Sequence, residues 1–382
     1  MLSAPREETS MKTNAMWRSG ITAAIGAALA ISLSAPAVHA QDRLKVYVSA
    51  GFDGNTWMDA SLNLLRAISK TTEYKDKVEL EIQSARGDAQ TQQQQINAMV
   101  QAGADVIVAW PISPTALNRS IRNACEQGVT FITWDAGVTE PCAYYVSIDQ
   151  AFAGAGPAEW LAEELNGEGN IIFMGGIPGT LVDTQRNEAA KAVFAEHPGI
   201  EIMAETPSMW NPATARQKFS EIIAARGWDA IDGVWTQTGC HQFIELQVAA
   251  ERTEFLPCAG NGTNGFRVAM LDEATTEGAF GVRGVSMGSP PWAAPYALMK
   301  GLEIHEGAAM EKFIEIPMPL VSSDETVFCE KADLEELKAK DWACNAVPLD
   351  IAPANYFIDV WSKQVPQLDL YSALNGTVPE GQ

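Results

Sequence analysis

From residue 44 to residue 282 the sequence alternates short apolar runs with amphipathic stretches, and this alternation occurs in two successive sets. The apolar runs are rich in β-branched residues, as expected of parallel strands that are covered on both faces. Regular alternation of strand and helix indicates βαβ units. The sequence therefore predicts an α/β fold of two doubly wound parallel-sheet lobes joined by a hinge.

The two sets predict similar numbers of elements. In the first set the predicted strands are Leu44–Ser49, Val78–Gln83, Val106–Ala109, Val129–Thr133 and Tyr144–Ile148, and the predicted helices are Thr56–Ser69, Gln90–Ala102 and Thr115–Gln127. In the second set the predicted strands are Asn170–Met174, Ile200–Glu205, Gly233–Trp235, Phe255–Ala259 and Gly278–Val282, and the predicted helices are Val182–Glu196, Pro212–Ala225, Cys240–Ala250 and Gly265–Glu273. A further helix is predicted over Pro291–Gly307, and the tail carries a strand-like Pro319–Ser322 and a short helix between two cysteines.

The first 40 residues have the pattern of a secretory signal peptide. Lys12 and Arg18 supply positive charge, Ile21–Leu33 is predominantly apolar, and Val38-His39-Ala40 ends in a small residue. The apolar run is too short to span a membrane, which takes about 20 residues. We therefore expect export and a mature chain from Gln41, the alternative being an uncut N-terminal anchor.

All six cysteines follow the predicted leader. An even number of cysteines in an exported protein indicates disulfides, although six cysteines allow 15 pairings. Short spacings favour the pairing of neighbours over a metal site or catalytic thiols. The favoured pairs are Cys125 with Cys142, Cys240 with Cys258, and Cys329 with Cys344.

The charge balance and the missing motifs exclude several function classes. Asp and Glu total 48 against 26 Lys and Arg, and the formal net charge is −22. Such a chain repels polyanions, so we expect no nucleic-acid partner. The sequence contains no P-loop, no H-E-x-x-H and no G-x-S-x-G. We therefore expect no catalytic residue, no metal and no cofactor.

The predicted carboxyl ends of the strands concentrate aromatic and polar residues. Ligands of open α/β sheets bind at these ends. Indole rings stack on the apolar face of a sugar ring, while amide, carboxylate and guanidinium groups bond hydroxyl groups at its edge. This combination predicts a sugar or polyol site, whereas each tryptophan taken alone would also fit a core position. The residues at these ends include Asn55, Trp57, Met58, Trp134, Asp135, Arg186, Trp210, Thr238 and Asn261.

Four segments in this order resemble the ribose-type periplasmic sugar-binding proteins, which are the type I solute-binding proteins of ABC importers. The resemblance covers roughly residues 43–320. The segments are Gly54-Asn55-Thr56-Trp57-Met58, Gln101–Val108 (QAGADVIV), Gly128–Asp135 (GVTFITWD), and Gly179-Thr180 with Arg186 and Glu188.

The resemblance implies roles for individual residues. Asn55, Asp135 and Arg186 would bond sugar hydroxyls, and Trp57, Met58 and Trp210 would stack on the ring. Thr238 falls where the family carries Asn, Asn261 lies near its late Asp, and a hinge-side polar residue is expected within Ser286–Ser289. The chain departs from the family at Ala136, where an Arg is frequent, at Gly239, where an acidic residue is usual, and in its longer tail.

The resemblance also implies how the domains are organised. The family's chain crosses between its lobes three times. This places residues 43–148 and 286–316 in an N-terminal lobe, and residues 149–285 and 317–382 in a C-terminal lobe, after the signal peptide of residues 1–40. The fold expected is that of a type I periplasmic binding protein.

The function that follows is a periplasmic solute-binding protein. It would capture a sugar or polyol in the cleft between two lobes and deliver it to the membrane permease of an ABC importer, acting as a monomer and not as an enzyme. Two alternatives remain open from the sequence. One is a ligand-loaded sensor for a chemoreceptor or kinase, and the other is an exported carbohydrate hydrolase.

Overall fold

The computed structural model describes residues 43–379. The predicted signal peptide of residues 1–40 lies outside the described residues. Within the described part, the chain forms two six-stranded sheets flanked by helices, which confirms the predicted α/β fold. None of the helices described is both long and apolar enough to cross a membrane.

The strands and helices follow the predicted alternation closely. The strands are β1 (Leu44–Ala50), β2 (Val78–Ser84), β3 (Val106–Trp110), β4 (Thr130–Trp134), β5 (Tyr144–Ser147), β6 (Glu168–Gly175), β7 (Gly199–Pro207), β8 (Gly233–Thr236), β9 (Cys258–Gly260), β10 (Gly284–Ser286), β11 (Phe313–Glu315) and β12 (Val321–Ser322). The helices are α1 (Thr56–Ile68), α2 (Ala89–Gln101), α3 (Asn118–Glu126), α4 (Gln150–Glu164), α5 (Leu181–Glu196), α6 (Pro212–Arg226), α7 (Cys240–Ala249), α8 (Asn264–Met270), α9 (Ala293–His305), α10 (Leu334–Ala339) and α11 (Leu370–Asn375).

Both sheets have the strand order of a doubly wound fold. The first sheet has the order β11-β5-β4-β3-β1-β2, and the second has the order β12-β10-β9-β8-β6-β7. All pairs are parallel except β10 with β12. The strand order reverses at β1 in the first sheet and at β6 in the second. The loops after β1, β3, β6 and β8 therefore leave an opening at the carboxyl edge of each sheet, where such folds bind ligands.

The predicted strand Gly278–Val282 is wrong, because the fifth parallel strand of the second sheet is β10. Gly278 and Gly281 have φ values of +85° and +62°, so the segment turns instead of extending. Its backbone also bonds back to the end of α8, with the amides of Phe280 and Val282 donating to the carbonyl of Ala269. The apolar residues of this segment therefore pack around the end of α8 instead of forming a strand.

Helix α4 was absent from the sequence prediction. Its middle contains Gly154, Gly156 and Pro157, which are typical of loops. It begins with Asp149, whose side chain accepts a hydrogen bond from the amide of Phe152 at 3.0 Å. This N-cap satisfies one of the free amides of the first turn.

The three predicted disulfides between neighbouring cysteines are confirmed. They join Cys125 to Cys142, Cys240 to Cys258, and Cys329 to Cys344. The first joins α3 to the segment before β5, and the second joins the start of α7 to β9. The third closes a loop in the tail. The paired cysteines are 17, 18 and 15 residues apart, and closing a loop of this length contributes about 3 kcal/mol by restricting the unfolded chain.

The tail after residue 316 contacts both halves of the molecule. Strand β12 pairs with β10 of the second sheet, and α11 packs on α1 beside the first sheet. Leu370 and Ala373 of α11 are buried in the same core cluster as Leu64 and Leu65 of α1. The placement of residues 317–382 in the C-terminal lobe, like the other lobe boundaries, stays a prediction.

Candidate functional site

A cavity lies at the carboxyl ends of both sheets, and the atom-free space in it, open solvent included, is about 350 Å³. Small-molecule sites are commonly concave and mostly apolar, with a few polar groups that orient the ligand. The wall is formed by loops that follow strands of both sheets, by the segment that contains Ser289 and by the tail. The lining residues are Phe52, Asn55, Trp57, Trp110, Asp135, Val182, Arg186, Trp210, Thr238, Asn261, Ser289 and Phe357.

Most of the residues singled out by sequence meet at this cavity. Met58 and Trp134 do not line it, and both are buried in the core of the first sheet. Met58 follows Trp57 on α1, where successive side chains point about 100° apart, and Trp134 precedes Asp135 at the end of β4, where successive side chains alternate between faces. Those that line it are Asn55, Trp57, Asp135, Arg186, Trp210, Thr238 and Asn261.

Three aromatic rings form an apolar wall. Phe52 and Trp110 meet edge to face with ring centroids 4.7 Å apart, and Trp110 and Trp210 do so at 6.0 Å. Phe52 lies 6.0 Å from Trp210, with the two rings tilted. The wall therefore joins residues that follow strands of both sheets, and edge-to-face packing fixes the rings relative to one another.

Trp210 is held in place by its own backbone and by two neighbours. Met209 and Trp210 have φ values of +57° and +48°, which turn the chain sharply after β7. The indole N–H of Trp210 donates to Oε1 of Gln237 at 2.9 Å. A Cβ atom on Gly176 would lie 2.1 Å from the indole nitrogen. Only glycine at position 176 leaves room for this ring.

Asp135 presents its carboxylate from a left-handed backbone position with φ of +61°. Oδ2 accepts a hydrogen bond from the indole N–H of Trp110 at 2.9 Å, and Oδ1 accepts one from Nε2 of Gln150 at 2.9 Å. The hydroxyls of Tyr145 and Ser147 donate to its main-chain carbonyl at 2.7 and 2.9 Å. These bonds fix the carboxylate, which still has lone pairs to accept bonds from a ligand.

Arg186 brings a positive charge to the cavity wall from α5. Its Nε donates to Oε1 of Gln150 at 2.8 Å, its Nη2 donates to Oγ of Ser289 at 2.8 Å, and its Nη1 lies 3.4 Å from Oδ1 of Asn261. Burial lowers the pKa of Arg186, while the nearby Asp135 carboxylate acts in the opposite direction. A guanidinium has five donors, so N–H groups remain for a ligand.

Asn55 and Trp57 link the first sheet to the opposite side of the cavity. Oδ1 of Asn55 caps α1 by accepting from the amide of Met58 at 2.9 Å, and its Nδ2 donates to the main-chain carbonyl of Trp210 at 3.3 Å. The indole N–H of Trp57 donates to the main-chain carbonyl of Ser289 at 2.7 Å. Both side chains thus connect segments far apart in sequence.

Five of the lining residues are not among the site residues proposed from the sequence. Trp110 is the last residue of β3 and Phe52 lies two residues after β1, so the strand-end signal that selected the others applies to them as well. Ser289 lies within the predicted hinge-side stretch. Val182 and Phe357 carried no signal, and Phe357 comes from the tail. The five are Phe52, Trp110, Val182, Ser289 and Phe357.

The lining suits an uncharged ligand that has hydroxyl groups and an apolar face. Among the lining residues that the structure describes, there is one carboxylate, one guanidinium and no histidine or thiol. The opposite charges balance, so a ligand with a net charge would be left without compensation. The aromatic wall would cover apolar surface, and Asp135, Arg186, Thr238 and Asn261 would bond hydroxyls.

The comparisons with known proteins agree on one family of binding proteins. A family model described as a periplasmic binding protein domain matches residues 46–302. The xylitol-binding protein of Mycolicibacterium smegmatis is 28% identical over 177 residues, which are 46% of this chain and 50% of that protein. The D-xylose-binding periplasmic protein of Escherichia coli is 31% identical over 98 residues, 25% of this chain and 29% of that protein. The chain thus matches at most half the length of these curated relatives.

Solved structures share the fold. An ABC transporter solute-binding protein from Thermobispora bispora superposes with a TM-score of 0.66 at 22% identity, covering 74% of this chain and 87% of that one. At this identity the likeness establishes the two-sheet architecture.

Proposed function

Because the chain belongs to the periplasmic binding protein family, we propose that it captures a sugar or polyol in this cavity and delivers it to the permease of an ABC importer. The observation that carries the proposal is the cavity itself, where an aromatic wall faces a fixed carboxylate and a fixed guanidinium. Such a pairing matches both the apolar face and the hydroxyl edge of a carbohydrate.

The curated relatives narrow the ligand class. One is named for xylitol and the other for D-xylose, and both ligands are small, uncharged and rich in hydroxyl groups. A five-carbon polyol or sugar is therefore the first ligand to test.

The proposed role is binding without catalysis. General acid–base hydrolysis of a glycoside commonly uses two carboxylates, and only Asp135 contributes a carboxylate to the described lining. Its oxygens are held by Trp110 and Gln150. A binding role in the periplasm also agrees with the predicted signal peptide, and one copy of the chain supplies all the lining residues named here.

Ligand binding is tested by a thermal-shift screen of the processed, exported protein. The panel contains xylitol, D-xylose, D-ribose, myo-inositol, a nucleoside and several amino acids, with isothermal titration calorimetry for each compound that raises the midpoint. A ligand present at 100 times its Kd adds about 2.7 kcal/mol to stability, which gives a clear shift. Chromatography of the bound compound then shows whether it is returned intact.

We expect a polyol or pentose to shift the midpoint and to be recovered unchanged. A response confined to amino acids or nucleosides would contradict the ligand class, and turnover of a carbohydrate would favour the hydrolase. A pull-down from membranes with the loaded protein separates a permease partner from a chemoreceptor or kinase.

A further inference from the structure

The tail beyond the region matched by the family model reaches the cavity. That region ends at residue 302, and Phe357 lies 55 residues further along the chain. We propose that the tail segment 354–359 is a built part of the ligand site and that Phe357 determines which ligands fit. The inference rests on the proposed function, since selectivity requires a ligand in this cavity.

Phe357 lies against the loop that follows β9, next to Asn261. Its backbone forms an antiparallel bridge with Thr263. The amide of Asn264 donates to the carbonyl of Tyr356 at 2.7 Å, and the amide of Gly265 donates to the carbonyl of Ala354 at 2.8 Å. The segment is thus paired with the carboxyl edge of the second sheet, where the ligand-contacting loops lie.

An ion pair between a buried guanidinium and a partly exposed carboxylate fixes this segment. The guanidinium of Arg267 is 1% exposed and donates to both carboxylate oxygens of Asp359 at 2.6 and 2.9 Å. Its Nε also donates to Oγ of Ser286 at 2.8 Å. A bidentate pair has a defined geometry. Asp359 therefore sets the position of Phe357, two residues before it.

The same segment also reaches the first half of the molecule. The main-chain carbonyl of Asn355 accepts a hydrogen bond from Oγ1 of Thr56 at the start of α1, and its Oδ1 accepts one from Nε2 of Gln242 in α7. Further along, Nδ2 of Asn63 donates to the carbonyls of Ala373 and Leu374 at 2.9 and 3.2 Å. The tail is therefore tied to elements beside both sheets, on either side of the cavity.

A rigid aromatic side chain in the wall limits the size and shape of the ligand. Phe357 is 9% exposed, so its ring is held by its surroundings and cannot swing away at little cost. Removing the ring enlarges the cavity on the tail side. A small ligand then loses contacts, while a bulkier ligand gains room.

The test compares affinities for two ligands of different bulk in Phe357→Ala and Phe357→Leu. The probes are xylitol and myo-inositol, and the readout is the ratio of their Kd values by calorimetry. We expect the ratio of Kd for myo-inositol to Kd for xylitol to fall about tenfold in Phe357→Ala, with Phe357→Leu in between. Tyr371→Ala is the matched control, because Tyr371 is an aromatic residue of the same tail that is 49% exposed.

A general loss of stability changes the unfolding midpoint but does not change the ratio. An unchanged ratio in both Phe357 variants, with wild-type binding intact, would overturn this inference alone. Should Phe357→Ala fail to fold, Phe357→Leu decides the question by the same ratio. If the wild-type protein binds neither these probes nor any other sugar or polyol, the proposed function fails first and this inference falls with it.

Discussion

Arg186 combines a buried charge with the proposed ligand contact. It is 4% exposed, and its three hydrogen bonds go to neutral side chains of Gln150, Ser289 and Asn261. A buried cation whose hydrogen-bond partners are all neutral gains from a further hydroxyl brought close to it. The same arrangement makes the residue sensitive to substitution.

Arg186→Gln removes the charge and most of the donors while keeping a side chain that can bond to Gln150. Hydrogen bonds to charged groups contribute about 1.5–3 kcal/mol, so we expect ligand affinity to fall about 10- to 100-fold by calorimetry. Arg283→Gln is the control, because Arg283 pairs with Glu164 and Asp324 at the surface. Equal affinities for the two variants would contradict a ligand contact at Arg186.

Residue type and position were enough to find seven of the twelve cavity-lining residues, but not the side chains that hold them. Asp135, Arg186 and Trp210 stand out because a strand end combines polar and aromatic character. Gln150 does not, although it bonds to both Asp135 and Arg186, because a glutamine in a helix carries no such signal in one sequence. Gln237 follows β8 and so shares the strand-end signal, but its bond to Trp210 depends on a three-dimensional neighbour from another element.

Glu336 in the tail predicts a pH dependence of stability. Burial acts to raise its pKa, but the amides of Lys331, Ala332 and Glu330 and the side chain of Lys340 outweigh this and lower the pKa from 4.5 to about 2. A carboxyl whose pKa is lower in the folded state stabilises the protein above its unfolded pKa. That contribution is lost as the pH falls from about 4.5 to about 2.

Glu336→Gln should therefore be less stable than wild type at neutral pH, and the difference should shrink as the pH falls through this window. Urea unfolding at pH 7, pH 4 and pH 2.5 measures it. Glu335→Gln, the neighbouring residue, whose side chain lacks these bonds, is the control and should show no such pH-dependent difference. A gap of constant size between wild type and Glu336→Gln would contradict the role of the carboxylate.

At the scale of elements, α4 shows why the sequence pattern does not predict every helix. Its glycines and proline argue against a helix by propensity, but Gly154 lies where α4 crosses α5. A Cβ atom on Gly154 would be 2.2 Å from the carbonyl oxygen of Arg186. The close crossing requires glycine, because a Cβ atom would clash. Helix propensity depends on local sequence only, so it does not predict this contact between two helices. The same crossing places Arg186 at the cavity.

Gly154→Ala should push α5 away from α4 and displace Arg186. Overpacking costs about 1–3 kcal/mol, against about 1 kcal/mol gained from helix propensity. We expect a modest net loss of stability in urea together with weaker ligand binding. Gly156→Ala is the control, since a Cβ there would meet side chains and no backbone, with Leu320 at 3.0 Å and Phe152 at 3.4 Å. If both variants bind ligand equally well, the crossing does not position Arg186.

At the scale of the whole molecule, the alternating pattern predicted two parallel sheets and the edge where they bind a ligand. It did not predict that the tail returns to both halves, because the tail has short elements and few periodic runs. The ion pair between Asp359 of the tail and the buried Arg267 of α8 joins residues that are far apart in sequence. Long-range pairing of this kind leaves no local pattern.

The two halves touch directly across the cavity, and this contact predicts how strongly the protein holds its ligand. The amide of Asn55 donates to the carbonyl of Trp210, and such a bond exists only when the two sides are close together. Proteins with two lobes can bind a ligand by hinge closure. Their apparent affinity is lower when a smaller fraction of the molecules is in the closed form.

Asn55→Asp removes this contact while it keeps the cap of α1, and scattering without ligand separates the effect on closure from any effect on a ligand contact of Asn55. Aspartate caps a helix as well as asparagine does, so α1 stays intact, but a carboxylate cannot donate to the carbonyl of Trp210 and is repelled by it. A neutral hydrogen bond is worth about 0.5–1.5 kcal/mol, so we expect Kd to rise about threefold or more.

Asn211→Asp is the matched control. Asn211 also caps a helix, through the amide of Thr214, and its replacement adds the same charge. Small-angle scattering without ligand should show a larger mean radius of gyration for Asn55→Asp than for Asn211→Asp, and saturating ligand should bring the two together. Equal radii and equal Kd values would mean that the bond between Asn55 and Trp210 does not stabilise the closed form, and closure would then depend on the ligand and on the tail contacts at Asn355.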